Sequence, residues 1–80
     1  MRRRREVYSR RELEDAVYGY DDIHLCCHRE LVFDEDGNSF GSKDDYFVVD
    51  WPEHAITRQH IGDAYIDGPY TKDDAESIVG

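Results

Sequence analysis

The chain has 80 residues and a formal net charge of −9 at pH 7. This length corresponds to one domain with a small core, and its hydrophobic content of 39% lies below the ~45–50% of ordinary globular domains. The acidity excludes a folded body that binds nucleic acid or an anionic membrane directly, and no apolar run approaches the ~20 residues of a membrane span.

The charge is distributed unevenly along the sequence. Six arginines and one glutamate lie in the first eleven positions, whereas residues 12–80 contain four basic and eighteen acidic residues, a net charge of −14. Residues 1–8 are therefore predicted to form a flexible arginine-rich arm, because terminal segments of like charge are usually mobile. Residues 9–80 are predicted to form a single acidic α+β domain.

The first predicted element is a helix over residues 10–18. Ser9 and Glu12 have the spacing of a capping box, in which each side chain accepts a backbone N–H of the other residue. Apolar residues follow from Leu13 at helical spacing, and Gly19 is a typical helix stop.

The segments that follow the helix are predicted to be strands. Residues 23–28 alternate apolar and polar side chains, and residues 31–33 resume the apolar pattern, which predicts one long strand with a bulge or two short ones. Residues 34–38 are predicted to form a turn, because Asp-Gly and Asn tolerate positive φ. Phe40 is expected to begin a brief return strand.

The second half of the chain adds strands and a helix. Residues 45–51 predict a strand that Pro52 ends, whereas residues 52–60 fit a helical turn or a strand equally well. Residues 64–66 predict a short strand stopped by the Asp-Gly-Pro sequence at 67–69, and Thr71 caps a last helix over 72–79. The expected fold class is α+β, a small antiparallel sheet of three to four strands with an N-terminal and a C-terminal helix.

His24, Cys26 and His28 form the densest group of reactive side chains. On a strand they would share a face, and imidazole and thiolate are zinc ligands. Because alternate residues of a straight strand lie about 6.5–7 Å apart, three of them cannot easily reach one tetrahedral ion. A half-buried strand is the favoured interpretation, and a small metal- or thiol-based protein is the alternative function. The adjacent thiols of Cys26 and Cys27 predict unpaired cysteines and a cytoplasmic location.

Residues 34–45 resemble a calcium loop in their spacing, with Asp34 and Asp36 at positions one and three and Asp45 at position twelve. The glycine expected at position six is Ser39, and the usual bidentate Glu is absent. We therefore expect a polar hairpin loop without a metal or cofactor. No glycine-rich phosphate loop or activated nucleophile accompanies these residues, which argues against an enzyme.

The remaining signal is the arrangement of acidic residues in pairs and triplets. Carboxylates two residues apart on a strand lie about 6.5–7 Å apart, a spacing comparable to that of successive phosphates in DNA. Such rows can occupy a nucleic-acid groove on another protein, although acidic residues also serve as helix caps and for solubility. Tyrosines are expected to anchor the contact, because aromatic residues concentrate interface energy. The predicted partner-binding residues are Asp34, Glu35, Asp36, Asp44, Asp45, Tyr46, Tyr70, Asp73, Asp74 and Glu76.

The overall profile resembles the small acidic anti-CRISPR proteins of bacterial viruses. The features that carry the resemblance are the 80-residue length, the net charge of −9, the α+β pattern and the lack of a catalytic motif. Residues 64–76 are also similar to a strand–turn–helix ending common in small viral and bacterial proteins.

Anti-CRISPR proteins share no common motif, so no residue role is transferred. The resemblance implies a non-enzymatic inhibitor that works in the cytoplasm of an infected cell, as a monomer or homodimer. Its partner would be a basic nucleic-acid-binding protein, such as a CRISPR–Cas surveillance complex, whose DNA binding it blocks. A dimerising accessory protein, acidic only for solubility, is a further alternative.

Overall fold

The computed structural model describes residues 4–53, 55 and 58–80 and has an α+β fold. The strands and α-helices follow in the order β1 Arg4–Ser9, α1 Arg10–Tyr18, β2 Tyr46–Trp51, β3 Tyr65–Tyr70 and α2 Lys72–Val79. The sheet is antiparallel with β2 at its centre, in the order β1-β2-β3. The described residues thus supply three strands to this sheet, the lower of the two numbers expected.

Five of the six residues of strand β1 lie inside the segment predicted to be a flexible arm. Its register pairs Tyr8 with Phe47, and both rings are buried in the core. Near its start, Arg5 forms an ion pair with Asp50 over 3.9 Å. The pairing with β2 and the burial of an aromatic ring outweigh the mobility that the arginines suggest, so the arm prediction is wrong from Arg4 onwards.

The main core lies between one face of the sheet and α1. Phe47, Val49 and Trp51 alternate along β2 and are buried on this face, where they pack with Leu13 of α1. This alternation is expected for a strand because successive side chains point to opposite faces. The other face of the sheet is partly covered by α2, in which Ala75 is fully buried.

Both predicted helices are confirmed, with their caps. Ser9 Oγ accepts the N–H of Glu12 over 3.2 Å, and Glu12 Oε1 accepts the N–H of Ser9 over 3.2 Å, which completes the capping box. At the start of α2, Thr71 Oγ1 accepts the N–H of Asp74 over 3.2 Å. Within the ranges described, neither helix has the length and apolarity needed to cross a bilayer.

The strand prediction for residues 23–33 is wrong. Ile23–Leu25 and Arg29–Leu31 form short 3-10 helices. Asp22 caps the first of them by accepting the N–H of His24 over 3.1 Å, and such local hydrogen bonds compete with pairing in a sheet. The predicted hairpin with a return strand is reduced to one isolated bridge, between Phe33 and Ser39.

After β2, the structure agrees with the prediction from the sequence only in part. Strand β2 ends at Trp51, directly before Pro52, as predicted. Within the undecided segment 52–60, the N–H of Ala55 donates to the carbonyl of Pro52 over 3.1 Å, and a 3-10 helix begins at Arg58. Residues 54, 56 and 57 lie outside the described residues.

Strand β3 is longer than predicted, because it continues through residues 67–69 to Tyr70. The register between β2 and β3 shifts between Tyr46 and Val48, opposite the Gly-Pro sequence. Gly68 has φ +142°, and a Cβ there would lie 2.8 Å from Phe47 Cδ2. A bulge at an edge strand therefore accommodates residues that would interrupt a central strand.

Candidate protein-binding site

The acidic loop, defined as residues 34–45, connects the second 3-10 helix to β2. Its first turn is built by Asp34, whose Oδ1 accepts the N–H groups of Asp36 and Asn38, each over 2.9 Å. Gly37 supplies the positive φ, +84°, that such a turn needs. The predicted turn is confirmed, and it holds the exposed side chains of Glu35 and Asp36 on an ordered backbone.

The far end of the acidic loop is also ordered by side-chain hydrogen bonds. Asp45 Oδ2 accepts the N–H of Ser42 over 3.0 Å, and Ser42 Oγ accepts the N–H of Asp44 over 3.1 Å. The backbone N–H of Arg10 then donates to the Asp45 carbonyl over 2.9 Å. The loop is thus fixed to the first residue of α1 where it enters β2.

Arg10 also anchors the loop through its side chain, although the residue is only 7% exposed. Its Nη2 donates to the carbonyl of Val32 over 3.3 Å, and its Nη1 lies 3.4 Å from a carboxylate oxygen of Glu14. Its guanidinium carbon lies over the ring of Phe40, 5.9 Å from the centroid. Gly41 permits this approach, since a Cβ there would lie 2.8 Å from Arg10 Nε.

The acidic loop carries a local excess of negative charge. It contains five carboxylates and one basic residue, Lys43. None of the five forms an ion pair with a basic residue among the described ranges, whereas Asp50, Glu14 and Glu76 have arginine or lysine partners. The loop therefore keeps a net negative charge, and Asp34, Glu35, Asp36 and Asp44 are exposed to solvent.

Exposed aromatic rings lie beside these carboxylates. Phe40 is 47% exposed and Tyr18 is 73% exposed, and the Tyr18 ring packs on Phe33 with 6.5 Å between centroids. A groove of about 430 Å³, here called the loop groove, is lined by Arg29, Glu30, Phe33, Asp34, Glu35 and Phe40. Phe40 is not among the residues predicted from the sequence to form the site. Its only sequence signal is a large apolar side chain within a polar loop.

The two predicted tyrosine anchors belong to the sheet. Tyr46 and Tyr70 are paired residues of β2 and β3, and both are half-buried. The hydroxyl of Tyr70 donates to Asp67 Oδ2 over 2.5 Å, a hydrogen bond that raises the pKa of Tyr70. This pairing places both tyrosines next to Asp45, at the end of the sheet from which the acidic loop emerges.

The remaining predicted acidic residues lie on α2. Asp73 and Asp74 occupy its first turn, where carboxylates stabilise the positive end of a helix. Glu76 lies 4.0 Å from the Lys72 ammonium one turn away. Because α2 packs on the face of the sheet opposite α1, these carboxylates lie on a different element from the acidic loop.

The histidines and cysteines of residues 24–28 form contacts within the fold. His28 Nε2 lies 2.7 Å from the Ala64 carbonyl and must donate to it, and the Cys27 thiol donates to the Gly62 carbonyl over 3.3 Å. Burial lowers the pKa of His28 and raises that of the Cys26 thiol. In the part of the chain that the structure describes, no three His, Cys, Asp or Glu side chains are grouped to hold a metal ion. These contacts attach the 3-10 segment to the residues that precede β3.

The geometry therefore identifies the acidic loop and its groove as the candidate site. Comparison with protein-family models, with curated proteins and with solved structures finds no match.

Proposed function

We propose that this protein is a non-enzymatic inhibitor that binds a basic, nucleic-acid-handling protein through the acidic loop and blocks its DNA binding. The observation that carries the proposal is the group of five loop carboxylates, which lack ion pairs with the described basic residues and stand on an anchored backbone. A CRISPR–Cas surveillance complex is the first target to test, because the profile of the chain resembles that of anti-CRISPR proteins.

The order of the acidic loop supports binding. A loop fixed by Asp34 at one end and by Asp45 and Arg10 at the other loses little conformational freedom when it docks. Its concentrated negative charge would attract lysines and arginines that otherwise contact phosphates. Association would therefore be fast at low ionic strength and would weaken with salt.

The aromatic residues extend the proposed contact. Phe40 and Tyr18 are more exposed than the half-buried Tyr46 and Tyr70, so they are better placed to reach a partner. Aromatic side chains bury a large area at low entropic cost and are enriched among residues that dominate binding energy. The proposed interface thus consists of the acidic loop and the exposed rings of Phe40 and Tyr18.

The first experiment measures inhibition directly. The purified protein is titrated into a type I CRISPR surveillance complex with fluorescent target DNA, and DNA binding is followed at about 50 mM and about 200 mM salt. Inhibition that weakens at the higher salt concentration is expected. If no tested complex is inhibited, CRISPR surveillance complexes are rejected as the target. Inhibition that does not change with salt concentration would refute an electrostatic contact.

Two matched variants then locate the contact. One neutralises the loop with Asp34→Asn, Glu35→Gln and Asp36→Asn, and the other neutralises α2 with Asp73→Asn, Asp74→Asn and Glu76→Gln. Both remove the same charge, and asparagine at 34 retains the oxygen that accepts the turn hydrogen bonds. The loop variant should lose about 3- to 100-fold in affinity, the range for three exposed ion pairs. Equal losses in both variants would show that net charge alone drives binding.

A further inference from the structure

We propose that the loop groove receives an arginine side chain of the partner protein, stacked on Phe40 and paired with the carboxylates at the rim. This inference rests on the proposed function and specifies its recognition chemistry. It assigns to Phe40 the role of the aromatic platform, and to Asp34 and Glu35 the role of anionic partners.

The groove is large enough for one long side chain, and its lining suits one. Its volume of about 430 Å³ falls within the range of about 300–1,000 Å³ that holds small ligands in proteins. Phe33 and Phe40 supply its apolar surface, and Glu30, Asp34 and Glu35 supply its carboxylates. An arginine has the same two parts, an apolar stem and a charged planar head.

Phe40 already interacts with one cation inside the protein. Arg10 lies over its ring at 5.9 Å, and the negative face of an aromatic ring attracts a guanidinium at this distance. Glu14, 3.4 Å from Arg10, offsets the charge of that guanidinium. The 47% of Phe40 that is exposed therefore offers aromatic surface in the groove to a second cation.

The charges around the groove favour a cation. Glu30, Asp34 and Glu35 are exposed, and none forms an ion pair with a basic residue in the described ranges. Among the described residues that line the groove, the one cation is Arg29, whose Nη2 donates to the carbonyls of Asp34 and Glu35 over 2.8 and 3.4 Å. Arg29 therefore stabilises the wall, and the lining keeps more negative than positive charge.

The chemistry of the groove distinguishes arginine from lysine. A guanidinium is planar, stacks on an aromatic face and can donate two parallel hydrogen bonds to one carboxylate. An ammonium is a compact and strongly hydrated charge that gains less from a ring. A groove that combines Phe40 with two carboxylates should therefore prefer arginine.

The test uses three short peptides that differ at one position, with arginine, lysine or the neutral arginine analogue citrulline. Each is titrated into isotope-labelled full-length protein, and affinity is measured from the shifts of the NMR signals. The arginine peptide should bind about 2- to 5-fold more tightly than the lysine peptide, the range expected from one exposed cation–aromatic contact. The citrulline peptide should bind least, and the ring signals of Phe40 should shift most with arginine.

Three variants check the role of the ring. Phe40→Leu should lose the preference for arginine, whereas Phe40→Tyr, which keeps a ring, should retain it. Tyr65→Leu is the matched control, because Tyr65 is 69% exposed and lines other cavities, next to Asp50. Circular dichroism is recorded for each variant, so that a change in folding is recognised before affinities are compared.

The outcomes separate this inference from the proposed function. Equal binding of the arginine and lysine peptides, or a preference that survives in folded Phe40→Leu, would overturn the groove assignment even if DNA binding is still inhibited. Arginine binding without inhibition of DNA binding would instead overturn the proposed function alone. Dimers at low salt that Phe40→Leu dissociates would identify a second copy of this chain as the occupant, against a foreign partner.

Discussion

The role of Arg10 as the anchor of the acidic loop can be tested by Arg10→Ala. The substitution removes three interactions at once: the hydrogen bond to the Val32 carbonyl, the ion pair with Glu14 and the contact with the Phe40 ring. All three lie where Arg10 is 7% exposed, so water replaces them poorly. We therefore expect the variant to be markedly less stable.

The magnitude follows from these contacts. A hydrogen bond from a charged donor contributes about 1.5–3 kcal/mol, the ion pair about 0.5–1 because the Glu14 side chain is 19% exposed, and the ring contact about 0.5–1. Because contributions within one network are not additive, the expected loss is about 2–4 kcal/mol. That is a large share of the about 4–12 kcal/mol typical for a domain of this length.

Urea denaturation followed by circular dichroism measures the loss, and Arg11→Ala is the matched control. Arg11 is exposed, and it occupies the same first turn of α1. Both substitutions relieve the same unfavourable position of a cation at a helix start, so this effect cancels in the comparison. Arg11→Ala should change the free energy of unfolding by less than about 0.5 kcal/mol. Equal losses for the two variants would refute the anchoring role of Arg10.

Three further predictions concern other parts of the fold. Burial lowers the pKa of His28, so the unfolded state binds a proton at this residue more readily than the folded state does. The free energy of unfolding should therefore fall as the pH drops below 6.5 and through the lower pKa of the folded state. Urea titrations at several pH values should show a smaller fall in His28→Gln than in the exposed control His24→Gln. Cys27 is exposed, whereas Cys26 is buried and its thiol has a raised pKa. A thiol reagent should therefore modify Cys27 quickly and Cys26 only after denaturation. Rapid labelling that persists in the Cys27→Ser variant would contradict this prediction. Gly68→Ala should destabilise the protein by about 2–4 kcal/mol, because its Cβ would meet Phe47, against about 1 kcal/mol for Gly37→Ala, where nothing lies within 4 Å. Similar unfolding midpoints for the two glycine variants would disprove the close approach.

The sequence was most informative where the determining contacts are local. The capping box of Ser9 and Glu12, the Asp34 turn and the end of β2 at Pro52 each depend on residues within four positions of one another. Such contacts follow from spacing and residue type, which the sequence displays directly. The fold class and the acidic loop could therefore be predicted.

The rest depends on contacts between distant residues. Strand β1 is stabilised by pairing with β2, some forty positions away, and its arginines give no sign of this. Arg10 is 22 residues from Val32, whose carbonyl it binds. From the sequence alone, Arg10 is only an unfavourable cation at the start of a helix, whereas in the structure it anchors the acidic loop. The period-two pattern of residues 23–28 fits a strand, but the side-chain cap of Asp22 favours a 3-10 helix. The loop groove was missed because it forms only when Phe33 and Phe40 are brought together.

The antiparallel register of β1 also places Arg4 and Arg5 at the end of the sheet opposite the acidic loop. Arg4 and Arg5 pair with Trp51 and Asp50 at one end of the sheet, whereas Ser9 pairs with Tyr46 beside Asp45 at the other. Six strand residues separate these ends, a distance of about 20 Å. At about 0.1 M salt, charges on the surface are screened over about 10 Å. The repulsion between Arg4 and a basic partner that binds at the acidic loop would therefore be largely screened.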